Sequence, residues 1–185
     1  MFSENAKATD MASASLVANT GAQESTQITG NYTVECLDSQ GNVKWSETIK
    51  NLVVTVGKNY MLDTTFTGSS YTATWYLGLV NGATSPTYNA ADTMSSHAGW
   101  TEFTSYTEAT RPQPSWSAAS SGSKATTATA FSINATGTVA GAFMTTNNTI
   151  SGTTGTLFSA GNFSGGNRSV ASGDTLNVTY TASLT

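Results

Sequence analysis

Side chains that could perform acid–base or nucleophilic chemistry are scarce in this sequence. His97 is the single histidine, and it lies in a serine-rich stretch with Asp92 nearby. A catalytic triad needs a histidine placed between a nucleophile and an orienting carboxylate. Because no nucleophile-elbow motif accompanies His97 and Asp92, the sequence predicts a loop histidine and no catalytic residue.

Metal and phosphate sites are not predicted either. Asp92, Glu102 and Glu108 could converge on a cation, but their spacing matches no zinc or calcium motif, and solvated loop edges are their expected positions. The pair Gly165-Gly166 lacks the lysine of a phosphate-binding loop and is expected to form a turn. We therefore expect no metal ion and no cofactor.

Large aromatic and apolar residues in two segments form the candidate binding surface. For the aromatic residues, core packing or interface anchoring is the expected role, since Trp and Tyr are typical of interfaces. A sugar-stacking platform, as in carbohydrate-binding modules, is the alternative. The candidate interface residues are Phe2, Met11, Leu16, Val17, Trp100, Phe103, Tyr106 and Trp116.

The composition indicates a protein whose faces contact other subunits. Charged residues make up 10 % of the chain, well below the usual roughly 25 %. Between positions 125 and 185 the only formal charges belong to Arg168 and Asp174. Such a surface offers little repulsion between molecules. The net charge of −4 and the seven scattered basic residues argue against nucleic-acid binding.

Cys36 is the only cysteine, so the sequence allows no internal disulfide. It lies in a strand-like run and is expected to be a small buried apolar residue. This favours assembly in a reducing cytoplasm. We find no apolar signal segment at the N-terminus and no window near the roughly 18 apolar residues of a membrane span.

The elements that must position these residues are mostly strands. Residues 1–27 are small and polar, which predicts an extended arm that needs a neighbour's contacts to become ordered. Residues 28–185 predict one β-rich domain. Alternating apolar residues at 28–36 and 43–50, joined by the turn Asp38–Asn42, predict a hairpin.

The stretch 51–82 is predicted to form the centre of the domain. Leu52–Val54 indicates a strand end, and Tyr71–Val80 indicates a central strand that is covered on both faces. Between them the spacing predicts a short helix that plugs the side or end of a sandwich and ends near Gly68. Its predicted apolar face consists of Val56, Tyr60, Met61, Leu62 and Phe66.

The remaining strands are predicted from alternating patterns between polar turns. One is expected over 125–138, with Phe131, Ile133 and Ala135 on one face, and others over 139–146, 156–158 and 176–182. Roughly eight strands with turn signals every 8–12 residues indicate a sandwich or barrel. The predicted fold class is all-β: a jelly-roll-like antiparallel β-sandwich with one short helix and an extended N-terminal arm. An immunoglobulin-like sandwich is the second choice.

Four segments of the chain carry a family resemblance. They are NLVVTVGKNYMLD, TWYLGLVNG, DTMSSHAGWTEFTSYTEATRP and GAFMTTNNTISGTTGTLFSAGNFSGGNRSVASGDTLNVTYTASL. Over about residues 30–185 the sequence resembles small structural proteins of tailed bacteriophages, which are often encoded among head genes. The most similar functional class within that group is the jelly-roll cement or decoration proteins that clamp the outside of a capsid. The resemblance implies no catalytic residue.

The resemblance implies a role in the virion. The expected function is to bind the outer surface of the head and stabilise the shell by bridging capsid subunits, after synthesis in the bacterial cytoplasm. The expected partners are the major capsid protein and copies of the chain itself, as a dimer or trimer, with neither nucleic acid nor membrane. The alternative is a receptor-binding or fibre module of the phage head or tail, in which Trp100, Tyr106 and Trp116 stack on host glycans. An enzyme is disfavoured by the residue inventory.

Overall fold

The computed structural model describes residues 26–66 and 74–184. In these residues the elements follow the chain in the order β1 (Ile28–Leu37), β2 (Val43–Lys50), β3 (Leu52–Val53), α1 (Thr55–Phe66), β4 (Tyr76–Asn81), β5 (Glu102–Phe103), β6 (Ser123–Ala125), β7 (Thr129–Ser132), β8 (Gly137–Thr145), β9 (Leu157–Asn162), β10 (Arg168–Val170) and β11 (Thr175–Leu184). All but the last two positions of the predicted arm lie outside the described residues.

Two antiparallel sheets pack against each other. Sheet A has the strand order β2-β1-β11-β6, with β7 also paired to β11, and sheet B has the order β3-β9-β8-β4-β5, with β10 also paired to β8. Tyr32 and Val34 of sheet A share one buried cluster with Leu77, Leu79 and Phe158 of sheet B. A single apolar core between two sheets is a β-sandwich, so the all-β fold class is confirmed, and the jelly roll stays a prediction.

The predicted hairpin and the predicted final strand are both confirmed. β1 pairs with β2 on one side and, along its whole length, with β11 on the other. In the turn between β1 and β2, the Asp38 carboxylate accepts hydrogen bonds from the backbone N–H groups of Gln40 and Asn42. Gly41 adopts a positive φ of 85° there, a conformation that glycine reaches at no steric cost. The hairpin and β11 form the centre of sheet A.

Two positions of β2 depart from the predicted apolar alternation. Glu47 points inward, with its side chain 6 % exposed, and Val43, which the pattern assigned to the apolar face, is 58 % exposed. Arg168 donates from Nε to the Glu47 carboxylate at 2.7 Å, and the Gly165 N–H donates at 3.1 Å. Because these donors satisfy the carboxylate, an acidic residue can occupy an inward position. Val43 lies beyond a register shift of β1 against β2, which ends the alternation there.

The predicted helix is confirmed as α1, but its apolar face was predicted wrongly at two positions. Gly57 is buried, and a Cβ added to it would lie 2.5 Å from the Phe158 carbonyl oxygen, so Gly57 lets α1 approach β9 closely. At 3.6 residues per turn, Leu62 lies about 140° and Phe66 about 180° around the helix from Gly57. These two side chains therefore point away from the core and are 55 % and 83 % exposed.

The predicted central strand corresponds to β4, which is covered on both faces as expected. Leu77 and Leu79 belong to the core between the sheets, whereas Val80 packs in a second cluster with Phe143 and Trp100 on the outer face of sheet B. The loop that follows β4 covers this outer face. Residues 71–73 of the predicted strand lie outside the described residues.

The single strand predicted over 125–138 is wrong. β6 ends at Ala125, β7 covers Thr129–Ser132, and β8 begins at Gly137 in the other sheet. Phe131 and Ile133 are buried, as predicted, whereas Ala135 is exposed. The chain crosses from sheet A to sheet B between β7 and β8, so one alternating pattern cannot continue through the crossing.

Candidate functional site

An open groove lies at the end of the sandwich where β11 ends and β4 and β9 begin. We call it the α1 groove, because α1 forms one of its walls. Its volume is about 540 Å³, within the roughly 300–1,000 Å³ that is typical of ligand pockets. The side chains that form its aromatic walls and floor are Tyr60, Trp75, Trp116 and Phe158, joined by Met61 and Met144.

The aromatic rings of the groove contact one another edge-to-face. The Trp75 ring lies 5.3 Å from the ring of Tyr60 and 5.3 Å from that of Phe158, at interplanar angles of 79° and 69°. Trp116 contacts Tyr180 across a centroid distance of 6.2 Å. Trp75 and Trp116 both stay partly exposed, so their rings present apolar surface to the groove. Edge-to-face contacts of this kind hold rings in fixed orientations.

The rim of the groove is polar and carries one charge. Thr64, Thr65, Thr74 and Gln113 line it together with Lys124, which is the only charged side chain in the part of the lining that the structure describes. The Lys124 ammonium lies 6.0 Å from the centroid of the Trp116 ring, at the limit of a cation–π contact. Among the described residues that line the groove there is no carboxylate, thiol or imidazole, so their chemistry is that of binding apolar side chains or ring faces.

The structure places the described interface candidates in two different environments. Trp100, Phe103 and Tyr106 are 3 %, 4 % and 4 % exposed, so they are core residues of this chain and form no exposed aromatic patch. Trp116 alone among the predicted aromatic residues lines the groove. The four candidates of the arm lie outside the described residues; they are Phe2, Met11, Leu16 and Val17.

Tertiary contacts explain why Trp100 is buried. The His97 ring stacks on it with a centroid distance of 3.9 Å. The Trp100 indole N–H donates to the Asp92 carboxylate at 3.2 Å, and Nδ1 of His97 lies 3.1 Å from the Trp100 carbonyl oxygen. Asp92 therefore orients a tryptophan and His97 covers it, which is a packing role for both.

The acidic residues considered for a cation are bound to different partners. Glu102 forms a bidentate ion pair with Arg111, with both N–O distances at 2.9 Å. Glu108 accepts the backbone N–H of Ser132 instead. In residues 26–66 and 74–184, no three His, Cys, Asp or Glu side chains are grouped as metal ligands.

The Arg111–Glu102 pair is largely buried. The side chains of Arg111 and Glu102 are 1 % and 6 % exposed. Arg111 also donates to the carbonyl oxygens of Asn147 and Gly152, at 2.9 and 3.2 Å, and its guanidinium lies 5.2 Å from the centroid of the Phe143 ring. Burial and the nearby Glu102 carboxylate raise the pKa of Tyr106 above its ordinary value. The hydrogen bonds from Arg111 to Asn147 and Gly152 connect the loop after β5 to the segment between β8 and β9.

The cysteine is buried, as predicted. Cys36 is 0 % exposed, and its Sγ lies 3.7 Å from the Asp174 carboxylate. Burial and this carboxylate raise the pKa of the Cys36 thiol to about 11. Burial also opposes ionisation of Asp174, but the Lys44 ammonium at 2.5 Å and the Ala171 N–H outweigh it, so the pKa of Asp174 is lowered. Cys36 therefore stays a neutral core residue.

Sequence reasoning did not find the α1 groove. Tyr60 and Met61 were assigned to a core-facing helix side, and Trp75 to a buried strand, whereas all three line an open surface. One signal was available in the sequence. A glycine inside a helix lowers helix stability, so Gly57 could have been read as a packing position. Its close approach to Phe158 sets which helix face meets the solvent.

No protein-family model matches the chain, and comparison with curated proteins and with solved structures found no significant similarity. Among the described residues, α1 is the single helix, and it is too short to cross a membrane.

Proposed function

We propose that the protein is a structural component of a tailed-bacteriophage virion, a capsid cement or decoration protein. In this role it binds the outer surface of the head and bridges capsid subunits. The observation that carries the proposal is the exposed apolar surface of α1, where Leu62 and Phe66 are 55 % and 83 % exposed. A large apolar side chain that is mostly exposed beside an open aromatic groove is typical of a binding surface.

The scarcity of charge supports the same proposal. With charged residues at 10 % of the chain, close approach to another protein requires the desolvation of few ions. The resemblance of residues 30–185 to phage structural proteins points to the capsid as the partner. Burying the Leu62 and Phe66 side chains against a shell would contribute about 25 cal/mol for each Å² removed from water, repeated at every equivalent position of the shell.

Binding to purified empty heads that lack this protein tests the proposal. We expect the wild-type chain to co-sediment with the heads and to appear on their outer surface in electron micrographs. The double substitution Leu62→Asn/Phe66→Asn should strongly reduce occupancy. Val43→Asn is the matched control, because Val43 is exposed to 58 % but lies on β2, away from α1. Occupancy that is equal in all three proteins, or no binding by the wild type, contradicts the proposal.

A receptor-binding module is the second candidate, and one observation favours it. The rings of Trp75 and Trp116 are partly exposed above a rim of threonines, an arrangement that can stack on a sugar. The stacking residues first predicted, Trp100 and Tyr106, are buried, so the candidate residues are now Trp75 and Trp116. Glycan-array binding that is lost in Trp116→Ala, with immunogold label on the tail, would favour this function over capsid decoration.

A further inference from the structure

The floor and walls of the α1 groove suit apolar side chains. Met61, Met144 and Phe158 form the floor and carry no hydrogen-bond donor and no acceptor stronger than a thioether sulfur. Polar groups occur at the rim, mainly as threonine hydroxyls. A saccharide needs several hydrogen bonds within its site, whereas an aliphatic side chain needs only apolar contact. The lining therefore favours a peptide segment with aliphatic residues.

The described chain begins beside this groove. Ile28 and Gly30 of β1 pair with Leu184 and Ala182 of β11, and Ala182 lines the groove. Strands in a sheet are about 4.8 Å apart and rise about 3.4 Å per residue, so the Ile28 backbone lies within about 10 Å of Ala182. On the other side of β11, Ala182 pairs with Lys124, the charged residue of the rim. Residues 1–25 are thus attached at the groove end of the sandwich.

The length and composition of residues 1–25 fit the groove. Leu16 and Val17 are adjacent aliphatic residues, and the roughly ten residues between them and β1 can extend over about 30 Å, more than the distance to Ala182. Residues 1–25 contain three acidic residues and one lysine, so their formal charge is complementary to Lys124. A tethered segment has an effective concentration of about millimolar, so a weak contact suffices for occupancy.

We propose that the α1 groove is the docking site for the N-terminal segment of the same chain, with Leu16 and Val17 as the apolar anchors. The segment binds across Trp75 and Trp116, and its acidic residues lie near Lys124. The inference rests on the proposed function in one respect: exchange of this contact between neighbouring copies is how the arm would link subunits on a shell. Exchange of an identical element between copies is a low-cost route to assembly.

Paramagnetic NMR on the full chain tests the docking. A nitroxide is attached to Ser13→Cys, and labelling is selective because Cys36 is 0 % exposed. In the ¹⁵N-labelled protein we expect the indole N–H signals of Trp75 and Trp116 to lose most of their intensity. The signal of Trp100, which lies on the outer face of sheet B, should keep its intensity.

The controls separate docking from a general effect of the label. A nitroxide at Ser39→Cys, in the turn at the opposite end of β1, should leave the Trp75 and Trp116 signals unchanged. Adding Leu16→Asn/Val17→Asn to the Ser13→Cys protein should restore both signals. This double substitution changes no residue of the described sheets or helix, and unfolding would be recognised from the loss of the other amide signals. Trp116→Ala should likewise restore the Trp75 signal.

Three results would overturn the inference. The first is full Trp75 and Trp116 intensity in the Ser13→Cys protein. The second is broadening that survives Leu16→Asn/Val17→Asn. The third is broadening that is just as strong when nitroxide-labelled ¹⁴N chains are mixed with unlabelled ¹⁵N chains, since a second copy would then be the occupant. The experiment contains no shells, so it can fail while head binding is retained, or succeed while head binding is absent.

Discussion

Two aromatic regions of this molecule use similar side chains and differ in how completely they are enclosed. In the first, the loop cluster of Trp100, His97, Asp92, Glu102 and Arg111, the indole is 3 % exposed and its N–H donates to a carboxylate. In the second, the α1 groove, the rings of Trp75 and Trp116 are partly exposed. Both regions place a cation near an aromatic ring.

The difference arises from the segments of the same chain that pack around each region. The loop after β4 covers sheet B and brings Asp92 and His97 onto Trp100, whose indole N–H donates to Asp92. In the same region Arg111 forms a bidentate pair with Glu102. At the α1 groove, Gly57 fixes α1 against β9, and the described residues leave the groove open. An enclosed cluster contributes to stability, whereas an open one is available for binding. Substitutions in the two regions should therefore have different consequences.

Glu102→Ala should have one of the two largest effects on stability. It leaves the Arg111 guanidinium, whose side chain is 1 % exposed, without its carboxylate, and breaking a buried pair costs about 3–5 kcal/mol. Urea unfolding measures this loss. Lys124→Ala in the groove is the control and should change the free energy of unfolding by no more than about 0.5 kcal/mol. A loss below about 1 kcal/mol for Glu102→Ala would contradict the enclosed description of the loop cluster.

Trp100→Ala and Trp116→Ala compare the two regions directly. Removing the buried Trp100 ring should cost about 3–5 kcal/mol of unfolding free energy. Removing Trp116 should cost about 1–2 kcal/mol, because part of that ring is already in contact with water. Urea unfolding of both variants, monitored by circular dichroism, gives the ratio of the two losses in unfolding free energy. Equal losses would mean that the groove is as enclosed as the loop cluster.

Acid should weaken the sandwich through its buried carboxylates, a group that does not occur among the described residues of the groove lining. Burial opposes ionisation of Glu47, but the Arg168 guanidinium and the Gly165 N–H outweigh it and lower its pKa, as Lys44 and Ala171 do for Asp174. Unfolded carboxyls titrate near about pH 4. The stabilisation is therefore present above that pH and is lost as the pH falls through the lower folded-state pKa values.

Urea unfolding at pH 7, 5, 4 and 3 measures this acid dependence. Glu47→Gln should show a smaller decrease of stability between the higher and the lower pH values, because its amide does not titrate. Glu35→Gln is the control, since Glu35 lies on the same hairpin and is not part of a buried ion pair among the described residues. A wild-type stability that stays constant down to pH 3 would contradict the assigned roles of Glu47 and Asp174.

Leu62→Asn/Phe66→Asn should have the smallest effect on stability, within about 0.5 kcal/mol, because these side chains are already mostly exposed. The same double variant is expected to lose head binding. Thermal unfolding of the variant beside the wild type checks the first expectation. A large decrease in melting temperature would show that both side chains pack against the domain, and the α1 surface would then be structural.

Local sequence patterns were sufficient to predict a strand where one face of the strand is buried and the turn that follows it is short. The alternation of Tyr32, Val34 and Cys36 and the turn at Asp38 predicted the β1–β2 hairpin, and the alternation at the C-terminus predicted β11. The start of α1 was predicted in the same way from Val56 onward. In each case the residues that determine the conformation are neighbours in the sequence.

The enclosure of each aromatic residue was decided by tertiary structure. Trp100 and Trp116 were both predicted as interface residues, yet one is covered by the loop after β4 and the other lies in a groove. The inward position of Glu47 depends on Arg168, which is far away in the sequence. The outward positions of Leu62 and Phe66 depend on the contact of Gly57 with β9.

The sequence by itself determined the β-rich class, the hairpin, the helix position and the scarcity of charge. The tertiary structure decided which apolar side chains are core and which remain at the surface. The physical reason is that burial is a property of pairs of elements brought together from distant parts of the chain. Periodicity records only which side of its own helix or strand a side chain occupies.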